Sequence, residues 1–410
     1  METFLLTSLV FALVAASLSA ALVTAVSHLC VHWTIRSARK PLSVESPGVS
    51  ILKPLKGVDD GLEENLRSLV EQRYDGPFEV ILGAADVDDP ALDVAMKLRR
   101  EYPHVCIKLV AGREGEGLNP KVRMLDVLSD VASHDLILIS DSNVRVSSSY
   151  LRDMTAELSD PDVGLVSSLI AGSGEDSVAA GLENLHLNSF VCGAVCGAEV
   201  LASHPCVVGK SMLLRRTDLD ALGGWDLVRD VLGEDYLLGV AFSRAGHKVT
   251  LSQHVIHTIN TRWGVRRFAS RHLRWAQMRR WISPKAYAFE PLLNPIPLAA
   301  AAVGIGTLGG DAAGSWSALW LGAAGVVVSV KPASDAMLTR RLRGHWPGVA
   351  DVLFVPGKDL LVLALWGLGW VLRDVNWRGN LLRIGPGSRL SIPPRGAALP
   401  HAVGVRGDRR

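Results

Sequence analysis

The chain has 410 residues, with 43 Lys and Arg against 41 Asp and Glu, so its formal charge is only +2. Apolar residues make up 48% and gather in long runs, which points to a soluble body framed by membrane segments. Most basic residues lie beside those runs, without the interleaved aromatics of a base-stacking surface, and this excludes nucleic acid as a partner.

From Thr3 to His28 no side chain is charged, about the length one helix needs to cross a hydrocarbon core. The stretch is too long for a signal-peptide core and has no basic n-region. Arg36, Arg39 and Lys40 follow it, and that bias predicts a signal-anchor helix within 1–40 with the downstream body in the cytoplasm. A cleaved signal peptide is the alternative.

Residues 41–266 alternate short apolar runs with amphipathic stretches. "VSILKPLKG" reads as a first strand and "GLEENLRSLVEQ" as a helix with Leu62, Leu66, Leu69 and Val70 on one face. "FEVILGAAD" reads as the next strand, and Asp89 and Pro90 open a helix after it. "DLILISDSNVRV" holds a buried strand that runs straight into Asp141. This alternation predicts an α/β, Rossmann-like body with a mostly parallel sheet. Right-handed crossovers would then bring Lys53, Asp86, Asp89 and Asp141 to one rim, where open α/β sheets bind ligands. Alone, Asp141 reads better as a solvated turn aspartate after a core strand; the other motifs along the chain reverse that reading. The five cysteines show no paired zinc spacing; Cys192 and Cys196 would share a helical face as small core thiols, in keeping with a reducing compartment.

After "LGEDYLL", residues 267–291 open with "RFASRHLRWAQMRRW", a basic amphipathic pattern expected to lie at the membrane surface. Two apolar runs, Leu292 to Gly309 and Trp316 to Val330, joined by Gly310 to Ser315, read as a helical hairpin that emerges at Lys331, Arg340, Arg341 and Arg343. A further run, Val352 to Leu372, contains Pro356, Gly357, Lys358 and Asp359, so it reads either as a span or as a re-entrant or interfacial segment. It completes a C-terminal membrane region over 292–372. If it spans, the Arg-rich tail 373–410 falls outside against the charge rule. The first three apolar runs, Thr3 to His28, Leu292 to Gly309 and Trp316 to Val330, contain almost no ionisable groups.

"GVSILKPLKGVDDGLEENL", "DVDDPALDV", "LNPKVRMLD", "LILISDSNVRV", "LGEDYLLG" and "RHLRW" occur in the order seen in ceramide glucosyltransferases, and the chain resembles that family over most of Gly48 to Trp281. The family consists of membrane-bound, inverting, A-fold nucleotide-sugar transferases. Its aspartate series and terminal Q/R-x-x-R-W motif find counterparts in Asp89, Asp141, Asp235, Arg271, Arg274 and Trp275. One departure concerns "LHLNSFVCGAVCG", which lacks the histidine often found in that acceptor-side region, with His186 and His204 nearby.

The resemblance implies transfer of glucose from UDP-glucose to the primary hydroxyl of ceramide. Asp86 and Asp89 would serve the uridine or ribose and Lys121 a phosphate oxygen. Asp141 would serve a divalent cation, Mg2+ or Mn2+, on the diphosphate. The usual D-x-D is Asp141-Ser142-Asn143 here, so one strong ligand is replaced. Asp235 would be the general base, with Glu234 as the alternative, since adjacent helical residues face different ways. Arg271, Arg274 and Trp275 fall on one helical face, suited to gripping a diphosphate and walling the acceptor pocket; Arg267, Arg279, Arg280 and Trp281 would serve lipid headgroups. The rival readings are a related enzyme acting on a hopanoid or other polyol lipid with a hexose or N-acetylhexosamine donor, and an inactive lipid-binding scaffold.

Overall fold

The computed structural model of the chain describes residues 2–36, 46–204, 206–308, 317–377 and 379–394. Arg39 and Lys40, the link 310–315 and the tail beyond 394 lie outside the described residues.

The body is built on an eight-stranded sheet. Its strands are β1 (Val49–Leu55), β2 (Phe78–Ala84), β3 (Cys106–Ala111), β4 (Leu136–Ser140), β5 (Val144–Arg145), β6 (Val163–Ser173), β7 (Ser211–Arg215) and β8 (Lys248–Ile259). The order is β3-β2-β1-β4-β7-β6-β8-β5. β3, β2, β1 and β4 run parallel, as do β6 and β8; β7 is antiparallel to both its neighbours and β5 to β8. The sheet is thus mostly parallel, and it is covered on both faces. Consecutive residues serve opposite layers: Ile51 packs under the helices Leu62–Val70 and Ala91–Glu101, while Leu52 packs under Pro120–Asp130 and Glu234–Arg244. Every residue of "LILIS" is buried, so the first position after β4 that can meet solvent is Asp141. Register places Val49 beside both Phe78 and Leu136, so β1, β2 and β4 end together at one edge.

The N-terminal helix Glu2–Arg36 is long enough to cross a bilayer with turns to spare; its last turns, at Cys30 and Val31, pack on Leu169, Ala171, Cys196, Leu338 and Leu342 of the rest of the chain. Pro284–Leu293 and Pro295–Thr307 form a pair bent by 66°. By length and composition, three helices among the described residues could cross a membrane, or four with that pair counted as one span.

The membrane region departs from the sequence reading in the extent of the second hairpin arm and in the apolar helix Val178–Ala202, and it adds detail to the run 352–372. The second hairpin arm does not stop at Val330: Ser317–Arg343 is one helix, and Lys331 lies inside it, buried, 2.5 Å from Asp335 and 3.1 Å from Asp359. Lys358 stands 2.5 Å from Asp359, so this region does carry ionisable groups, paired to near neutrality as low-dielectric burial demands. The run 352–372 forms the helices Val349–Leu353 and Val355–Val371, and both flanks return to the body. Arg343 pairs with Glu175 at 2.6 Å on one side, and Leu390 N donates to Asp230 O at 2.7 Å on the other. Both ends of the segment thus meet the same body, the arrangement a re-entrant segment would have, and Leu390 beyond it packs against that body. Finally, Val178–Ala202, read from sequence as part of the body, is apolar enough to qualify as a span, yet half of it is buried within the protein. It is interrupted by a π-helical turn, Leu187–Val191.

After the helix Val355–Val371 the chain makes a small antiparallel sheet, β9 (Asp374–Trp377), β10 (Asn380–Ile384) and β11 (Leu390–Ser391). It packs beside the loop that leads to Glu234: Leu232 N donates to Ser388 O at 2.9 Å and Gly233 N to Ser388 Oγ at 3.2 Å.

Candidate active site

A cleft of about 1540 Å³ opens at the edge where β1, β2 and β4 end. Asp86, Asp89, Lys121, Asp141, Asp235, Arg271, Arg274 and Trp275 all line it, although almost 190 residues separate the first from the last.

Its charged floor starts from local folding rules. Asn119 caps the helix Pro120–Asp130, its side chain accepting from Lys121 N at 2.9 Å and Val122 N at 3.1 Å, with Pro120 in the first position. This aims Lys121 into the cleft. Its Nζ stands 3.0 Å from Asp141 Oδ1 and 3.0 Å from Glu234 Oε1, and it donates to Gly209 O at 2.6 Å. Lys210, for which the sequence offers no motif, stands 2.9 Å from Asp141 Oδ2 and donates to Asn143 Oδ1 at 2.8 Å. Burial by itself would raise the Asp141 pKa, but Lys121 and Lys210 outweigh it and hold the carboxylate far below its usual range. Burial also pulls on Lys121, yet Asp141 and Glu234 keep it above the ordinary lysine value. Lys210 is pulled down by burial despite Asp141.

Lys53 does not face the cleft. It is buried beneath the rim, donating to Asp141 O at 2.7 Å, Ser140 Oγ at 3.2 Å and Val144 O at 3.4 Å, so it ties β1 to the end of β4. Burial lowers its pKa to about 7. Asp89 reaches the cleft wall but is also committed to backbone: Gly57 N donates to both its oxygens at 3.0 Å and Ala91 N to Oδ1 at 2.9 Å. Gly57 has φ 65°, a conformation that favours glycine, so Asp89 pins a turn at the cleft edge. Asp86 accepts from Asp88 N at 3.0 Å and is exposed. Asp59, which the sequence shows only within a motif, also lines the cleft and accepts a hydrogen bond from the Ser142 hydroxyl.

Glu234 and Asp235 open the helix Glu234–Arg244, and both line the cleft, contrary to the expectation that only one would. In the first helical turn the side chains lean toward the exposed N-terminus, and each finds its own anchor. Glu234 takes Lys121, and Asp235 Oδ2 accepts from Gly209 N at 2.7 Å. Burial raises the Glu234 pKa; Lys121 opposes the shift and Asp235 adds to it.

The opposite wall is the helix Val265–Ile282. It buries Phe268, His272, Ala276 and Gln277 and presents Arg271, Arg274 and Trp275 to the cleft. Arg271 lies over Trp263 and Trp275, with ring centroids 5.3 and 4.5 Å away, and its Nη1 stands 3.3 Å from Glu183. Glu183 is fully buried, and His272 Nε2 lies 2.7 Å from its other oxygen. A lone acid in the apolar helix "GLENLH" is the only sequence signal for this support. Three of the neighbouring basic residues expected to serve lipid headgroups have partners within the protein. Arg279 makes a two-pronged pair with Glu290 at 2.9 and 2.7 Å, Arg280 donates to Gly369 O at 3.2 Å and lies over Trp370, and Arg267 lies over Trp263.

Among the described residues no three His, Cys, Asp or Glu side chains converge as a metal-ligand group. Of the carboxylates that line the cleft, Asp141 has each oxygen paired with a lysine, so a cation held there would take the place of Lys121 or Lys210 and draw its remaining ligands from substrate phosphate and water. Chemically, the arrangement places cations on two walls around a space fit for a diphosphate, and a carboxylate pair beside it.

The model of glycosyl transferase family 21 matches residues 12–390 of the chain. The chain belongs to glycosyl transferase family 21. Among relatives, ceramide glucosyltransferase 3 of Caenorhabditis elegans is 31% identical over 252 residues, covering 61% of this chain and 54% of the worm protein. The ceramide glucosyltransferase of Pyricularia oryzae is 23% identical, covering 88% of this chain and 89% of its own. The chain thus spans about half the length of the first worm relatives that it matches, at 54% and 53%. Among solved structures, the mannosyltransferase PcManGT of Pyrobaculum calidifontis, in complex with GDP-Man and Mn2+, superposes with a TM-score of 0.53 at 17% identity, over 88% of this chain and 98% of its own. That likeness establishes the family 21 body as a glycosyltransferase fold.

Proposed function

We propose that this family 21 protein transfers glucose from UDP-glucose to the primary hydroxyl of ceramide with inversion, from the cytoplasmic face of a membrane. The observation that carries the reading is the meeting of Lys121, Asp141, Asp235, Arg271 and Arg274 in one cleft whose far wall continues into membrane-type helices.

In this reading the acceptor oxygen attacks the anomeric carbon as the carbon–oxygen bond to the diphosphate breaks. Asp235 takes the hydroxyl proton, its orientation fixed by Gly209 N. Negative charge grows on the leaving diphosphate, where Lys121, Lys210 and Arg271 are already placed, so little reorganisation is needed at the moment of reaction. Trp275 walls the acceptor side. A divalent cation held by Asp141 would neutralise further diphosphate charge. Asp86 and Asp59, on the strand-end side, suit the ribose and uracil. Arg36 at the end of the N-terminal helix supports a cytoplasmic body under the positive-inside rule.

The test is to incubate the purified full-length protein with a panel of nucleotide sugars and membrane lipids and to identify the product by mass spectrometry. Glucosylceramide made from UDP-glucose is the expected product. A hexosylated polyol lipid with no ceramide product would replace the acceptor, and no glycolipid at all would sink the reading.

A further inference from the structure

A second chamber, of about 290 Å³, lies beside the cleft and deeper toward the membrane helices. Five pieces of chain enclose it: the N-terminal helix at Val23, Ser27 and His28; the bulged helix at His186, Phe190, Ala194 and Ala198; the segment Glu290–Pro297; the helix Ser317–Arg343 at Lys331 and Asp335; and the helix Val355–Val371 at Val362, Leu363 and Trp366. Phe190 and Ala194 line both spaces, so the chamber and the cleft share a wall.

We propose that this chamber seats one hydrocarbon chain of the acceptor lipid while the lipid's hydroxyl reaches Asp235 in the cleft. This rests on the lipid-acceptor reading above and says where the lipid is gripped. Three features of the molecule support it. The exposed surface of the lining is mainly apolar, as in a lipid-type pocket, although each enclosing segment also contributes polar residues. Val23, Leu201 and Leu293, which line it, are exposed large apolar side chains, so its mouth opens on the surface that faces hydrocarbon. The charged side chains in its wall are all in ion pairs within the protein, Glu290 with Arg279 and Asp359 also with Lys358. Lys331 stands 2.5 Å from Asp335 and 3.1 Å from Asp359, and His28 Nδ1 shares a 2.7 Å hydrogen bond with Ser334, so an uncharged occupant meets no unpaired charge.

The bulge explains how the two spaces come to adjoin. A π-helical turn at Leu187–Val191 inserts an extra residue into the helix Val178–Ala202 and rotates the turns beyond it, bringing Phe190 and Ala194 to the boundary. His186, one turn earlier, stacks on Phe190 at a centroid distance of 5.1 Å and holds that boundary ring in place.

The test compares ceramides with short and long N-acyl chains, using the full-length wild type and Ala198→Trp, which fills the chamber. Each added buried methylene strengthens binding, so the wild type should prefer the long chain. Ala198→Trp should reduce the long-to-short ratio of kcat/KM at least about tenfold while UDP affinity stays unchanged, the latter showing that the body has folded. An unchanged ratio with wild-type UDP affinity would overturn the assignment. If Ala198→Trp loses UDP affinity, Leu201→Trp at the mouth takes its place and is judged by the same ratio. If the wild type glucosylates no ceramide, the acceptor reading fails separately. The chamber is then judged by crosslinking with a lipid that carries a diazirine in its acyl chain. Label on residues 186–201 that Ala198→Trp removes supports the site; label found only elsewhere, or label there that Ala198→Trp leaves unchanged, overturns it.

Discussion

Glu183 stands 3.3 Å from the Arg271 guanidinium, fully buried, with Arg271 held over two indoles on its other faces. The buried acid does not line the cleft and the arginine does, so the pair makes the helix that carries Glu183 a support for the wall that presents Arg271. In Glu183→Gln the charge that fixes Arg271 disappears while the shape remains. Breaking a buried ion pair from one side costs roughly 3–5 kcal/mol, so Tm should fall, and with Arg271 no longer fixed kcat/KM for UDP-glucose should fall at least about tenfold. Steady-state kinetics on the folded variant decide this: unchanged donor kinetics with a lowered Tm would leave Glu183 a purely structural residue.

Asp235 and Glu234 share the cleft, and their different anchors separate their roles. Asp235→Asn keeps an oxygen for Gly209 N but cannot take a proton, so turnover should fall at least about a hundredfold with UDP binding little changed. Glu234→Gln removes one of the two carboxylates around Lys121, so it should weaken nucleotide binding more than it slows turnover. Calorimetric UDP titration beside single-turnover rates distinguishes them. Reversed outcomes would transfer the base to Glu234.

The sheet, the rim and the order of the motif residues are legible in the sequence because they follow from apolar periodicity and strand polarity. "LILIS" is buried on both faces, so Asp141 has to be the first residue out. Lys210, Glu183 and Ser388 are illegible for the opposite reason: each acts across a long separation that no local pattern encodes. Ser388 closes on Gly233 from 155 residues away and anchors the turn before Glu234, a contact that exists only once the helix Val355–Val371 has brought the chain back. That return itself is readable only as a conflict between charge rule and hydropathy, because Lys358 and Asp359 look costly until Lys331 is placed beside them. Lys53 misleads because a lysine at a strand end resembles a ligand group. Three oxygen acceptors beneath the rim capture it first.

Lys53 also gives a pH signature. Burial lowers its pKa to about 7 in the folded protein, well under the ordinary lysine value of 10.5. Between those values the unfolded chain binds the extra proton, so stability rises with pH through this window; below it both states are protonated and the penalty of burying the charge is felt in full. The wild type should therefore need more urea to unfold at about pH 9 than at about pH 7, and Lys53→Met should show a smaller difference. Equal pH dependence in the two proteins would mean that Lys53 remains charged across the range, stabilised by its three oxygens.

The clamp on the far wall can be tested by separating charge from geometry. Arg274 lines the cleft one turn from Arg271, on the same helical face, and is proposed to grip diphosphate oxygens with a planar two-pronged guanidinium. Arg274→Lys retains the charge and loses the fork, so kcat/KM for UDP-glucose should drop at least about tenfold, one charge-assisted hydrogen bond being worth enough for that factor. Arg262→Lys is the matched control: Arg262 is exposed, pairs with Asp176 at the surface and does not line the cleft, and such pairs contribute about 0–1 kcal/mol at most. A helix that served only to hold the membrane surface would respond to net charge, which neither substitution alters, and would tolerate both. Measured kcat/KM and UDP affinity that are the same in the two lysine variants and the wild type would remove the diphosphate role from Arg274 and leave this wall with Arg271 alone.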